Sequence, residues 1–210
     1  MSLDFLSVGG RAAARSPLAA AAAAAGASFE IRDGWEIATH FAESAIEAQV
    51  CREHVAWADV SHMRKLELQG TAEQLSAARP HEGVWLALTP ERALLLEGDE
   101  IPVAAGLHVL DVTSQLGALR IAGPLARELF ARFCALDLRL HVTPPGALRP
   151  GSVARTPGYV LCEAPDRYLM LFGAAYGAYV WEVVCDAGTQ LGGRAVGVDA
   201  LEPTEARSDA

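Results

Sequence analysis

The sequence predicts an α+β domain with helices packed on antiparallel sheets. Three features carry that expectation: short runs alternating apolar and polar residues, helix-start signals between them, and one order of elements that occurs twice. The order is Asp-Val-Ser/Thr, a strand of the form Leu-x-Leu/Ile closed by glycine, a helix, then a hairpin. It begins at Asp59-Val60-Ser61 and again at Asp111-Val112-Thr113, about fifty residues apart. A matching order of elements favours duplication of a strand–helix–hairpin half over chance recurrence. It also argues against an alternating parallel sheet.

Taken along the chain, Ser16-Pro17 opens an alanine-rich helix that ends at Gly26, with proline inside the start and glycine past the end. Phe29 and Ile31 alternate with charge as on a half-buried strand, and Asp33-Gly34 makes a turn. Ser44-Ala45-Ile46-Glu47 has the capping-box form, so a helix is expected with Ile46, Val50 and Val55 on one face. A strand spans 64–69 with Leu66 and Leu68 inward, and Thr71-Ala72-Glu73-Gln74 is a second capping box. Runs 84–88 and 93–96 flank a turn preorganised by Pro90. The second half supplies a strand over 118–122, then a helix with Pro124 at its first position and Leu125, Leu129, Phe130 and Phe133 as its stripe. A proline- and glycine-rich loop covers 144–151; a hairpin pairs 159–163 with 168–172, and a helix over 174–187 is stopped by Gly188. Residues 1–28 thus read as an extension with an alanine-rich helix. Residues 29–205 form the main domain, its half-repeats over about 59–106 and 111–187.

With 210 residues, half of them apolar, the chain can bury a sizeable core. A net charge of −9 and a single lysine, Lys65, oppose nucleic-acid binding, which needs clustered cations to neutralise phosphates. The run Ala19 to Ala25 is too short and too weakly apolar to cross a bilayer, and it lacks the placement of a signal peptide, so no membrane contact and a cytoplasmic location are expected. Cys51, Cys134, Cys162 and Cys185 are scattered without a Cys-x-x-Cys pair or a neighbouring histidine, and read as buried free thiols with no metal. No Ser-His-Asp order, phosphate loop or dinucleotide fingerprint occurs.

Four stretches resemble a known family in the right order. Arg15-Ser16-Pro17-Leu18 with Gly26-Ala27-Ser28-Phe29 and Asp33-Gly34-Trp35 resembles the opening of sarcosine oxidase gamma subunits. Glu47 and Arg52, then Asp59-Val60-Ser61-His62-Met63, resemble the signature of the aminomethyltransferase T-protein of glycine cleavage. Gly123-Pro124-Leu125-Ala126 and Gly197-Val198-Asp199-Ala200-Leu201 are similar to two later elements of that family, and the likeness runs from Arg15 to Leu201. It implies two interlocked ferredoxin-like strand–helix–hairpin halves, as in the aminomethyltransferase folate-binding fold, without its C-terminal barrel. It further implies tetrahydrofolate as the carrier of the one-carbon unit. The resemblance also implies that flavin belongs only to a partner, a sarcosine oxidase alpha-like subunit; further copies of this chain are the alternative partner.

Carried over by position, Met63 falls where the family lines its folate cavity and Tyr159 where it has an aromatic residue. Val160 stands where the family has the glutamate that reaches the pterin, and the insert bearing the family's central aspartate is missing. The nearer resemblance is therefore the gamma subunit, with a supporting rather than self-sufficient role. The other candidates keep two readings each. Asp59 and Asp111 are either acid–base carboxylates beside a cavity or turn caps. His62 either titrates against a ligand or is an ordinary loop histidine. Arg155 either pairs with the glutamate tail of folate or forms a structural ion pair. Tyr176, Tyr179 and Trp181 are core or subunit-contact aromatics.

Overall fold

The computed structural model describes residues 14–98, 101 and 105–201; residues 1–13 of the expected extension and 202–205 of the expected domain lie outside them. The elements in order are β1 (Ala14–Arg15), α1 (Ala19–Ala24), β2 (Ser28–Arg32), β3 (Trp35–His40), α2 (Ser44–Glu53), β4 (Ala56–Asp59), β5 (Lys65–Gln69), α3 (Ala72–Ala78), β6 (Val84–Thr89) and β7 (Arg92–Leu96). Then come β8 (His108–Asp111), β9 (Leu116–Ala122), α4 (Ala126–Ala131), β10 (Leu148–Val153), β11 (Thr156–Ala164), β12 (Arg167–Gly173), α5 (Gly177–Thr189), β13 (Arg194–Ala195) and α6 (Val198–Leu201). The fold is α+β, as expected, and divides into two compact units: residues up to Val60 with those from Gly117 onward, and Ser61–Leu116.

The first unit holds a three-stranded sheet, β1-β3-β2, and a six-stranded sheet, β10-β11-β12-β9-β4-β13. Along β11 and β12, Val160, Cys162, Tyr168, Met170 and Phe172 alternate onto one face, where they meet Trp57, Leu119 and Ile121 and the inner sides of α1, α4 and α5. Leu18 and Ala22 belong to this core, so the alanine-rich helix is packed rather than appended. The second unit is the four-stranded sheet β6-β7-β5-β8, antiparallel throughout, with Leu66, Leu68, Ala93 and Leu95 facing Leu75 and Ala78 of α3. The Thr71–Gln74 capping box forms as expected, each side chain bonding the other residue's main chain.

Several local expectations fail for identifiable reasons. Ser44 is the first helical residue and caps nothing; Glu47 reaches further back, to the amides of Phe41 and Ala42. Ile46 is exposed, so the buried stripe of α2 rests on Glu47 and Val50. Pro124 lies in the turn before α4, which begins two residues later. The stretch expected as a loop contains β10. Pro150 is tolerated there because β10 is an edge strand, where a missing N–H removes no ladder bond. Gly188 does not stop α5 but lies inside it: a Cβ there would sit 2.3 Å from the Trp57 ring, so glycine makes room for the largest buried side chain of this core.

Candidate functional site

β4 is buried along its length, between β9 and β13, and Asp59 ends it opposite Leu119, 8% exposed. The chain then turns through Ser61, His62 and Met63 into β5; His62 is half-buried and Met63 is 4% exposed. This segment carries three of the residues predicted from sequence. The other two lie on the ribbon β10–β11. Arg155 is exposed at its tip, in a two-residue turn in which Ala154 and Arg155 both have positive φ (46° and 59°) between the paired Val153 and Thr156. Tyr159 is half-buried in β11, four residues further along the strand and so roughly 13 Å from Arg155. It is three strand positions across the sheet from β4, which separates it from Asp59 by roughly 14 Å. Asp59 and Tyr159 therefore share a sheet without touching.

The turn Ser61–Met63 is held by a residue that motif reading passed over. Lys65 is fully buried, and its ammonium donates to the main-chain carbonyls of Met63 (2.8 Å), Ser61 (2.9 Å) and Thr113 (3.3 Å). Its own amide donates to Thr113 Oγ1 at 3.0 Å, and its carbonyl accepts from the Val112 amide at 2.9 Å. Asp111 Oδ1 accepts from the Thr113 amide at 2.9 Å, so at Asp111 the turn-capping reading is the one the geometry bears out. The sequence did contain a signal: of 17 basic residues, sixteen are arginine and one is lysine.

The first unit holds a counterpart. Glu47, 2% exposed, accepts from the Phe41 amide (2.6 Å) and the Ala42 amide (2.9 Å) through Oε1, and from the Gly197 amide (3.0 Å) through Oε2. Both oxygens are thus committed to main chain, which leaves this signature carboxylate a structural part. Gly197 must be glycine, since a Cβ would fall 1.7 Å from the Thr39 carbonyl oxygen. Two residues on, Asp199 receives both terminal nitrogens of Arg32 at 2.5 and 2.7 Å, and that hydrogen-bonded guanidinium holds its carboxyl below the ordinary value. The Gly-Val-Asp-Ala-Leu element is accordingly a fastening of α6 to β2 and β3.

Among the described residues no group of His, Cys, Asp and Glu could hold a metal ion, and no helix is long and apolar enough to cross a membrane. Burial pushes all four thiols up, Cys185 to about 11, away from the thiolate form. An open cavity of about 350 Å³ lies against α4, with Phe130, Leu136 and Leu138 in its lining and Arg127, Asp137 and Arg139 among its charged groups. The Arg139 guanidinium bonds Asp137 and lowers that carboxyl to about 2, so this pair is satisfied internally. None of the residues predicted from sequence lines the cavity.

Tetrahydrofolate, implied by the resemblance, can be tested at position 160. A pterin offers an amino group and a ring N–H that a carboxylate accepts as a pair. Val160 is fully buried and points into the apolar core with Cys162 and Met170, while Tyr159 stands on the opposite face. The residues present do not fit a pterin held in the family manner, because neither a carboxylate nor an open face exists at that position.

No family model matches the chain. A curated aminomethyltransferase of Picosynechococcus sp. is 44% identical over 64 residues, which is 30% of this chain and 17% of that protein. A chain of the heterotetrameric sarcosine oxidase of Corynebacterium sp. U-96, solved with pyrrole 2-carboxylate, superposes with a TM-score of 0.62 at 20% identity, covering 85% of this chain and 96% of that one. The glycine cleavage system aminomethyltransferase T of Bartonella henselae superposes with a TM-score of 0.68 at 16% identity, covering 89% of this chain and 60% of that one. The protein has the fold that these two share. Its resemblance to them extends over most of the chain, whereas it spans only a sixth of the curated aminomethyltransferase and three-fifths of the T-protein.

Proposed function

We propose that this chain is a gamma-like accessory subunit of a flavin-dependent N-methyl amine oxidase of the sarcosine oxidase kind, supporting transfer of the released one-carbon unit to tetrahydrofolate. The observation that carries this reading is extent: the chain matches 96% of a sarcosine oxidase chain but 60% of an aminomethyltransferase T. The spent carboxylates support it. Glu47 is committed to three amides, and Val160 replaces an acceptor with an apolar core residue. Flavin and the folate-binding carboxylate then belong to an alpha-like partner. Of Asp59, His62 and Met63, the residues assigned to this function, half-buried His62 is the one that meets the partner or the folate it holds, while Asp59 and Met63 are buried parts of the same segment; Tyr159 and Arg155 form a second, peripheral contact.

A stand-alone folate-binding protein is the second reading, favoured by the 44% identity to an aminomethyltransferase over 64 residues. Titration of the isolated chain with 5-formyltetrahydrofolate, followed by calorimetry and by quenching of Trp35, Trp57, Trp85 and Trp181, separates the two. The accessory reading expects no saturable binding. Saturable binding that Met63→Ala weakens tenfold or more would replace it with the stand-alone reading.

A further inference from the structure

The two Asp-Val-Ser/Thr motifs meet at one atom. Ser61 ends the first and Thr113 the second, and both give their main-chain carbonyls to Lys65 Nζ, with the Met63 carbonyl as a third acceptor. An ammonium is compact and has three N–H donors in a tetrahedral array, which match three converging carbonyls; a guanidinium is planar and presents its donors as a fork. A chain that uses arginine at sixteen of its seventeen basic positions carries lysine here, where three carbonyl oxygens lie 2.8–3.3 Å from one nitrogen.

We propose that Lys65 is the positioning residue of the Ser61–His62–Met63 turn: its ammonium, seated on the carbonyls of Ser61, Met63 and Thr113, fixes which way His62 and Met63 are presented. Two of the three acceptors belong to the turn itself, so loss of the ammonium removes a bond at each end of the tripeptide together. The third comes from Thr113, whose hydroxyl also takes the Lys65 amide, so the turn is referenced to the β8 end of the sheet rather than to its own flanks. The functional weight of this role rests on reading Asp59–Met63 as the contact element. The test is made on the free full-length chain, so a chain that never assembles with a flavoprotein still reports on Lys65.

Methionine methyl groups labelled with carbon-13 supply the readout, because Met63 lies in the turn and Met170 lies in the core of the other unit. In Lys65→Leu the Met63 methyl line shifts and broadens and the His62 ring signals move, while the Met170 line stays in place. Lys65→Arg, which keeps the charge and loses the geometry, behaves like the leucine variant. Unchanged Met63 and His62 signals in a folded Lys65→Leu chain, or full restoration by arginine, would overturn the proposal. Should both variants fail to fold, the wild-type chain decides. As the sole lysine, Lys65 gives one side-chain ammonium signal; it is protected from solvent exchange at least a hundredfold if seated as described, and an unprotected signal, or ready reductive methylation of Lys65 in the native chain, overturns the seat.

Discussion

Among the described residues, each unit of this protein seats a buried charge on main-chain groups, and the two, Glu47 and Lys65, are of opposite sign. In the first, the Glu47 carboxylate collects three amides from two loops; in the second, the Lys65 ammonium is given to three carbonyls from two turns. The physical problem is the same. Irregular backbone that is buried must find partners, and an ion with several acceptor or donor sites closes a loop that no ladder reaches. The consequences differ, because an orphaned amide has no alternative, whereas a carbonyl retains a second lone pair. Both buried charges thus work as fasteners, one at the entrance to α2 and one under the turn that carries His62 and Met63.

Removing the two fasteners should break the symmetry in a stated order. Glu47→Leu strands three buried amides and is expected to lose about 4 kcal/mol of stability. Glu47→Gln, which keeps one acceptor oxygen, should lose about 2 kcal/mol. Urea unfolding gives both values; a Glu47→Leu loss below about 1 kcal/mol would mean that water replaces the carboxylate. Lys65→Leu leaves carbonyls instead of amides and should cost less, about 3 kcal/mol by the same measurement. A larger loss at Lys65 than at Glu47 would reverse the argument from lone pairs.

Exposed charges sharpen the contrast. The Arg32–Asp199 pair is bidentate but well exposed, and Asp199→Asn should change stability at pH 7 by less than about 1 kcal/mol, diminishing in high salt. The folded-state pKa of Asp199 is lowered, so its contribution is full above the ordinary carboxylate value near 4 and is lost as pH falls through the lower folded value. Wild type and Asp199→Asn should therefore converge in acid, and divergence as pH falls would refute the sign. Smallest of all, Arg155→Gly removes an exposed side chain from a left-handed position and should raise stability by up to about 1 kcal/mol. A loss on thermal melting would show that Arg155 makes a contact its exposure does not suggest.

Legibility from sequence followed locality. The Thr71–Gln74 box, the Pro90 hairpin and the inward Leu66 and Leu68 depend on residues close in the chain, and all three were readable. Ser44-x-x-Glu47 marked the right helix start but the wrong bonds, because the third partner, Gly197, is 150 residues away. Gly188 looked like a terminator, since nothing in sequence announces that Trp57 will lie across it. At the site, the segment Asp59–Met63 was visible as a motif, whereas the role of Lys65 was hidden, because the carbonyls of Ser61, Met63 and Thr113 accept from it and carbonyls have no residue type. Val160 was readable as a substitution; that it faces the core emerged only from the alternation of β11.

The most direct test of the accessory-subunit account is purification of the tagged chain from its native host at low salt, with mass and absorbance read across the eluted peak. The account predicts stoichiometric elution with a larger, flavin-bearing chain, in a complex that oxidises an N-methyl amine and passes the one-carbon unit to tetrahydrofolate. Elution as a colourless particle of one 22.2 kDa chain, or of copies of it alone, would contradict it.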